Sequence, residues 1–130
     1  MQWNCGINQN GIQGLDLVEL RVNSNPKIIN VSFMKKLKIL DAGGIFCGIN
    51  QNGIQDLDLV ELRVNSNPKI TDVSFMKNLK TLDARWSCGI DQNGIQDLDL
   101  VELHVNDNPK ITNVSFMKNL KILDAMELWN

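Results

Sequence analysis

The residues best suited to chemistry in this chain are one histidine and the acidic and serine side chains that recur around it. His104 is the only histidine, and Asp83 and Asp124 lie about 20 residues before and after it. Such a group could form a weak metal site or a pH-responsive site, because imidazole titrates near neutral pH and binds metals in its neutral form. Ser66 and Ser87 could lie nearby, yet the sequence shows no nucleophile elbow or oxyanion loop. We therefore expect no enzyme activity, no cofactor and no metal.

Glycines recur along the chain, and their pattern predicts turns rather than a nucleotide site. Gly6, Gly11 and Gly14 are not followed by a Walker lysine, and they do not form an ordered G-x-G-x-x-G motif between a strand and a helix. The Asn-Gly pairs at 10–11 and 52–53, repeated at 93–94, are typical of turns in which glycine adopts a positive φ.

The bulk composition excludes two classes of partner. The chain carries a net charge of −2 over 130 residues, of which 43% are hydrophobic and 22% charged. That charge is too small and of the wrong sign for nucleic acid or an anionic membrane. No secretion signal is visible, and no apolar run approaches the roughly 18 residues of a membrane span. We expect a cytoplasmic or otherwise intracellular protein that binds neither nucleic acid nor membrane.

A long internal repeat decides the fold. Residues 5–42 and 47–84 differ at five of 38 positions, and residues 47–84 and 88–125 also differ at five. The apolar positions close a first turn, A, after 20 residues and a second, B, after 21 or 22. One domain is then predicted over 1–130, with a partial B turn at 1–16, A at 17–36, B at 37–58, A at 59–78, B at 79–99, A at 100–119, and a partial B turn at 120–130.

The A turn resembles the leucine-rich-repeat family, and most closely its internalin-like subclass. Its strand reads L-x-x-L-x-V and is followed by Asn67, and its back reads I-x-D-V-S-x-M over residues 70–76. The B turn, with Cys-Gly-Ile-Asn/Asp-Gln-Asn-Gly-Ile, is similar to arrays encoded by large DNA viruses. The resemblance implies an α/β fold: a short right-handed solenoid with one parallel β-sheet on its concave face. Loops and short 3₁₀ or α turns would form the convex face, and no dedicated caps are visible. The near-identity of the units indicates recent duplication or consensus design.

The repeated polar residues have expected structural roles. Asn25, Asn67 and Asn108 follow the strands, where an amide can bond the main chain of adjacent turns. The proline after each of these asparagines stops the strand, because proline cannot donate to the ladder. Thr71-Asp72 and its counterpart Thr112-Asn113 can cap a short helical turn in the segment VSFMKN.

The cysteines predict a buried column of free thiols. Cys5, Cys47 and Cys88 are equivalent residues two turns apart, so about 10 Å should separate neighbours in a coil that rises about 4.8 Å per turn. A disulfide requires Cα atoms about 4.4–6.8 Å apart, which excludes intrachain bridges, and the same spacing excludes a shared zinc site.

The outward side chains of the strands predict a ladder of alternating charge. Opposite charges on neighbouring strands are favourable and help to fix the register. Across the sheet the column reads Arg21, Asp41, Arg63, Asp83, His104, Asp124.

The leading functional hypothesis is non-catalytic protein recognition through the concave sheet, which is how most leucine-rich-repeat proteins bind partners. After each B strand the repeat relaxes, and there Arg85 and Trp86 could anchor a protein. The expected partner-binding residues are Glu19, Arg21, Asn23, Glu61, Arg63, Asn65, Asp83, Arg85, Trp86, Glu102, His104 and Asn106.

The alternative is a self-assembling or designed repeat scaffold with no external ligand. Residues 120–125 would supply the strand that the partial turn at 1–16 lacks, so the end of one copy could continue into the start of another. Such a contact gives rings or filaments, whereas pairing of like ends gives a dimer. The residues expected at this contact are Trp3, Leu120, Leu123, Leu128 and Trp129.

Overall fold

The computed structural model describes residues 5–128, which form a solenoid of parallel strands. Each strand has three residues and pairs with the next strand along the chain, so the described sheet has six strands in sequential order. This arrangement confirms the predicted parallel coil. The strands are β1 (Glu19–Arg21), β2 (Ile39–Asp41), β3 (Glu61–Arg63), β4 (Thr81–Asp83), β5 (Glu102–His104) and β6 (Ile122–Asp124).

The register of the sheet follows from the leucine at the centre of each strand. Leu20 lies opposite Leu40, and Leu40 lies opposite Leu62, and the same pairing continues to β6. Since successive side chains in a strand point to opposite faces, the inward leucine forces its two neighbours outward. A slip of one residue would turn every central leucine to the outward face. Burial of the leucines therefore fixes the register.

The core lies behind the sheet and is built from the same positions of every turn. Each interior residue packs against its equivalents in the turns above and below, so burial is complete in the middle of the coil. The fully or almost fully buried apolar residues of the second A turn and its neighbours include Ile49, Ile54, Leu59, Leu62, Val64, Ile70, Val73, Met76 and Leu79.

A column of asparagines joins the turns through their main chains, as the sequence predicts. Asn67 is fully buried, and its Nδ2 donates to the carbonyl oxygens of Ala42 at 2.9 Å and Ile49 at 3.1 Å. Its Oδ1 accepts the N–H of Lys69 at 2.9 Å. Asn108 makes the equivalent three bonds one unit later. These amides satisfy carbonyl groups that no strand or helix reaches.

A second column, of glutamines, was not predicted from the sequence. The Oε1 of Gln51 accepts the N–H groups of Thr71 at 2.9 Å and Asp72 at 3.0 Å, and its Nε2 donates to the carbonyl of Asp72 at 2.7 Å. Gln9 and Gln92 bind the following A turn in the same way. Each B turn is therefore fastened to the next A turn by one side chain with three bonds.

The helical prediction needs correction. The segment after Asp72 forms two successive turns, with Met76 N–H bonded to the Val73 carbonyl and Leu79 N–H to the Met76 carbonyl, instead of a helical turn. The side chain of Asp72 does accept the Ser74 N–H at 2.9 Å, as a cap would. The helices of residues 5–128 are short 3₁₀ helices in the B turns, at Gln9–Ile12, Gln51–Ile54 and Asn93–Ile95. None of the described helices is long and apolar enough to cross a membrane.

The expected positive φ of the Asn-Gly glycines is also wrong. Positive φ among the described glycines occurs at Gly14 and Gly44, neither of which follows asparagine. Gly53 and Gly94 lie inside 3₁₀ helices, and a Cβ on either would overlap a carbonyl oxygen of the preceding A turn, that of Ile29 or Thr71. Close contact between main chains, and not a left-handed turn, requires glycine here.

The glycine contact predicts an asymmetric pair of alanine variants. Gly53→Ala should lower the free energy of unfolding by about 1–3 kcal/mol, because the added methyl displaces the main chain of the neighbouring turn. Gly11→Ala is the matched control, since a Cβ at Gly11 meets only ordinary contacts of 3.5 Å and 3.7 Å within its own segment. Denaturant unfolding of dilute protein measures both. Equal losses in the two variants would contradict the proposed cause.

Candidate functional site

The outward face of the sheet carries one carboxylate from every strand. The six groups are Glu19, Asp41, Glu61, Asp83, Glu102 and Asp124. The same face carries three cationic or titratable side chains from the strands: Arg21, Arg63 and His104. None of the residues in β1–β6 is a lysine. The outward face is therefore acidic, although positive charges are spaced along it.

The predicted column of alternating charge is confirmed by the register. Arg63 lies opposite Asp41 and Asp83, and His104 lies opposite Asp83 and Asp124. Arg63 NH1 is 3.9 Å from an Asp83 carboxylate oxygen, which is the edge of ion-pair distance. Arg63 is half-buried and this distance is long, so the contact fixes register more than it adds stability.

The closer ion pairs run along single strands and were missed in the sequence. Arg21 contacts Glu19 at 2.6 Å, and Arg63 Nε contacts Glu61 at 3.0 Å. His104 Nε2 lies 2.6 Å from Glu102. Residues two apart in a strand share a face, so the E-L-R and E-L-H triplets could have predicted these pairs.

Asp83 is buried and paired within the chain, while its role in partner binding stays a prediction. Its side chain is 1% exposed, and it accepts hydrogen bonds from Arg85 Nε at 2.8 Å and NH2 at 2.7 Å. The hydrogen bond to Asp83 raises the pKa of the Arg85 guanidinium above its usual value, and burial opposes this effect. This bidentate pair fixes the direction of the Arg85 side chain.

Asn106 is also buried and bonded within the chain. It is 4% exposed, and its Oδ1 accepts the N–H of Met126 at 3.0 Å. The amide thus joins the third A turn to the residues after β6. The other expected partner-binding residues are exposed or half-buried: Glu19, Arg21, Asn23, Glu61, Arg63, Asn65, Arg85, Trp86, Glu102 and His104.

Trp86 lies three residues after the C-terminal end of β4, in a strained backbone conformation. Its φ is +62°, and its ring stacks on Arg85 with the guanidinium carbon 4.4 Å from the ring centroid. The residue three places after a strand has positive φ in five turns, and the others are small or polar: Ser24, Gly44, Ser66 and Asp107. A left-handed conformation costs a bulky residue about 1 kcal/mol or more. The chain therefore holds an aromatic ring beside the acidic face at a cost in stability.

His104 replaces the arginine of the other two units and is enclosed by carboxylates. Nδ1 lies 3.2 Å from Asp124 and Nε2 2.6 Å from Glu102, and Asp83 lies opposite on β4. Burial opposes the charged ring, but the hydrogen bonds to Glu102 and Asp124 and the charges of Glu102 and Asp83 outweigh it and raise the pKa of His104 above its usual value. The ring is therefore a pH-dependent cation at the position that arginine occupies in the other two units.

Stability should therefore depend on pH through His104. Because its pKa in the folded state is above the unfolded value of about 6.5, the protonated ring stabilises the fold fully below that pH. The contribution is lost as pH rises through the folded pKa. The free energy of unfolding of wild type minus that of His104→Gln should be larger at about pH 5.5 than at about pH 8.5. An unchanged difference between the two conditions would count against the ion pairs.

The geometry around His104 does not resemble a nucleophile site. Both ring nitrogens face carboxylates, so neither is directed at the hydroxyl of Ser66 or Ser87. Within residues 5–128, no three or more His, Cys, Asp or Glu side chains are grouped so as to hold a metal ion.

The cysteine column is confirmed for two residues and wrong for the third. Cys47 and Cys88 are fully buried free thiols, whereas Cys5 is exposed. Burial raises the pKa of Cys47, and it raises the pKa of Cys88 to about 11. Cys5 differs because no preceding A turn covers it in the described structure.

The thiols should therefore react at very different rates. In dilute native protein at neutral pH, a thiol-alkylating reagent should modify Cys5 rapidly, while Cys47 and Cys88 should react only when the fold opens, because the thiolate is the reactive form. Mass spectrometry of the alkylated chain counts the modified thiols. Rapid modification of all three without denaturant would contradict the described core.

The residues expected at a self-association contact are only partly described. Trp3 and Trp129 lie outside the described residues. Leu123 and Leu128 are about half exposed, at 50% and 55%, while Leu120 is half-buried. Leu123 is the β6 equivalent of Leu40 and Leu82, which are fully buried.

Comparison with protein-family models, curated proteins and solved structures found no match to this chain. The architecture is that of a parallel-strand β-solenoid.

Proposed function

We propose that this chain is a leucine-rich-repeat module of the internalin-like type, and that it binds a protein partner through the outward face of the sheet without catalysing a reaction. The L-x-x-L-x-V strands and the buried asparagines after them support this assignment. The family resemblance places the outward face on the concave side of the coil. Recent duplication and consensus design are the two origins that the near-identical units support.

The acidic outward face, with an arginine and a tryptophan at its end, is the observation that carries the proposal. Interfaces are enriched in tryptophan and arginine, and these residues supply much of the binding energy. Trp86 and Arg85 are stacked and half-buried, and Asp83 orients the guanidinium. A pair oriented before binding loses little side-chain entropy on contact.

The charge of the face favours a partner with a basic surface. Asp83 is buried and paired with Arg85, so five accessible carboxylates remain on this face with two arginines and one histidine in the strands. Opposite charge steers association and selects partners. An intracellular location fits the free cysteines, because a reducing compartment keeps thiols unpaired.

A variant of Trp86 tests the binding face without disturbing the core. Trp86→Gly places in the second unit the residue that Gly44 supplies in the first, so the strain at positive φ is relieved. We expect partner capture on the immobilised chain to fall about tenfold or more, and the free energy of unfolding to change by less than about 1 kcal/mol. Quantitative capture from a cell extract, followed by a salt titration of the captured protein, measures the loss.

Phe116→Ala is the matched control, because Phe116 is a partly exposed aromatic residue in the back of an A turn, away from the sheet. This variant should retain the partner. The proposal fails if the extract yields no protein other than the chain itself, or if both variants retain the partner equally.

We propose as a second candidate a self-assembling repeat scaffold. The half-exposed Leu123 and the outer edge of β6 support it, because an exposed strand edge with an apolar residue is a template for another chain. This function does not require Trp86 or the acidic face.

A further inference from the structure

An open groove lies beside the last described strand. It has a volume of about 320 Å³, and its walls include Val105, Asn108, Pro109, Ile111 and Met126. These residues belong to the third A turn and to the segment after β6. In each of the two earlier A turns, the equivalent position is covered by the B turn that follows.

The earlier A turns show what fills this place. Gly48 donates its N–H to the Asn25 carbonyl at 3.0 Å, and Gly89 donates to the Asn67 carbonyl at 3.1 Å. A Cβ on Gly48 would be 2.6 Å from the carbonyl oxygens of Pro26 and Ile28, so only glycine fits.

A second bond closes the same contact further along. The N–H of Val31 donates to the Gly53 carbonyl at 2.9 Å, and the N–H of Val73 donates to the Gly94 carbonyl at 2.9 Å. The segment Cys-Gly-Ile-Asn/Asp-Gln-Asn-Gly-Ile therefore covers each of these A turns through two main-chain bonds and two glycines.

The third A turn has the same surface but lacks this cover among residues 5–128. Ile111 and Val114 are partly exposed, although their equivalents in the first two A turns are fully buried. No described group bonds the N–H of Val114, which corresponds to the bonded N–H groups of Val31 and Val73.

A matching segment is exposed at the other end of the described chain. Residues 5–12 read CGINQNGI and are identical to residues 47–54. Cys5 and Ile7 are exposed, while their counterparts Cys47 and Ile49 are fully buried. A Cβ on Gly6 would meet nothing within 4 Å, so the side of this segment that would face a preceding A turn is open.

We propose that residues 5–12 of one copy bind the groove beside β6 of a second copy, so that copies stack head to tail. This inference rests on the self-assembly proposal and names the surfaces that it uses. Gly6 N–H then donates to the Asn108 carbonyl, and Val114 N–H donates to the Gly11 carbonyl of the docked copy. Both bonds repeat pairs that the chain already makes internally.

The same docking continues the sheet from β6 to β1 of the next copy. Within the chain, Ala42 N–H donates to the Arg63 carbonyl and Ala84 N–H to the His104 carbonyl, both at 2.8 Å. Ala125 N–H donates in the same way to the carbonyl of Arg21 in the next copy.

The side chains across this junction match as well as the main chains. Asp124 comes opposite Arg21 of the next copy, as Asp41 lies opposite Arg63. Leu123 comes opposite Leu20 of the next copy. Both leucines are partly exposed in a single copy, and each would bury the other in the docked pair. The contact joins two different surfaces, so it propagates as a filament or closes as a ring.

Sedimentation of the full chain over a roughly thousandfold range of concentration tests the docking. We expect the mass to rise with concentration in multiples of the 14.7 kDa chain. The double variant Gly6→Ala with Gly11→Ala should remain a monomer. Its methyl groups meet no other turn of their own copy, but in the docked copy they would overlap carbonyl groups, as on Gly48 and Gly53.

Gly14→Asp is the matched control, because Asp56 and Asp97 already occupy the equivalent positions with positive φ. This variant should associate like wild type. Circular dichroism and denaturant unfolding confirm that the variants keep the wild-type fold.

Alkylation of Cys5 in the wild-type chain gives a second measurement that needs no variant. Docking buries Cys5 as Cys47 and Cys88 are buried, so its reaction should slow as the associated fraction rises. A chain that stays monomeric at every concentration overturns both the docking and the self-assembly. Association that the glycine variant retains, or that leaves Cys5 fully reactive, overturns the docking and leaves assembly through another surface.

Discussion

Every turn of this solenoid depends on its neighbours to satisfy its main-chain hydrogen bonds. Strands of three residues and 3₁₀ helices of three or four pair few groups, and an unpaired group in the interior costs about 1–3 kcal/mol. Asn67 answers this need from a fully buried position, and Gln51 does so at the surface. No buried side-chain nitrogen or oxygen of the described residues lacks a partner. The B turns differ by one residue in length, 22 against 21, and the extra residue lies in the segment between Ala42 and Cys47, where it leaves these bonds in place.

This interior constraint also determines what the outward face can be. The leucines fix the register, so each outward residue has unchangeable neighbours on both sides, and charge must be arranged in compensating columns. Variation is then confined to a few places. The third unit has His104 where the first two have arginine. The second unit has Trp86 where the first has Gly44, at the position with positive φ three residues after the strand. Under the proposed recognition function, these differences between units, and not their shared pattern, would determine which partner binds.

The sequence predicts features that depend on recurrence and misses those that depend on a neighbouring turn. Asn67 and the column through Arg63 are recognisable because the same residue type returns at the same place in each turn. Gly53 was misread because asparagine before glycine suggests a local turn, whereas its cause is a carbonyl in another turn. The burial of Asp83 was not predicted, and its bidentate partner Arg85 lies in the irregular segment after the strand, where the repeat gives no guide. Cys5 follows the repeat in sequence but not in burial, because none of the turns in residues 5–128 covers its outer side.

The two kinds of turn have different complementary sides, and this limits how such an array changes in length. The glycines of a B turn fit the carbonyl groups of the A turn before it, while its glutamine binds the A turn after it. Loss of a single turn would bring two like turns together, and neither side would find its partner. Recombination can therefore lengthen or shorten the array only by 41 or 42 residues at a time, the full distance between equivalent positions. The pair of turns, and not the single turn, is therefore the unit that this array can gain or lose.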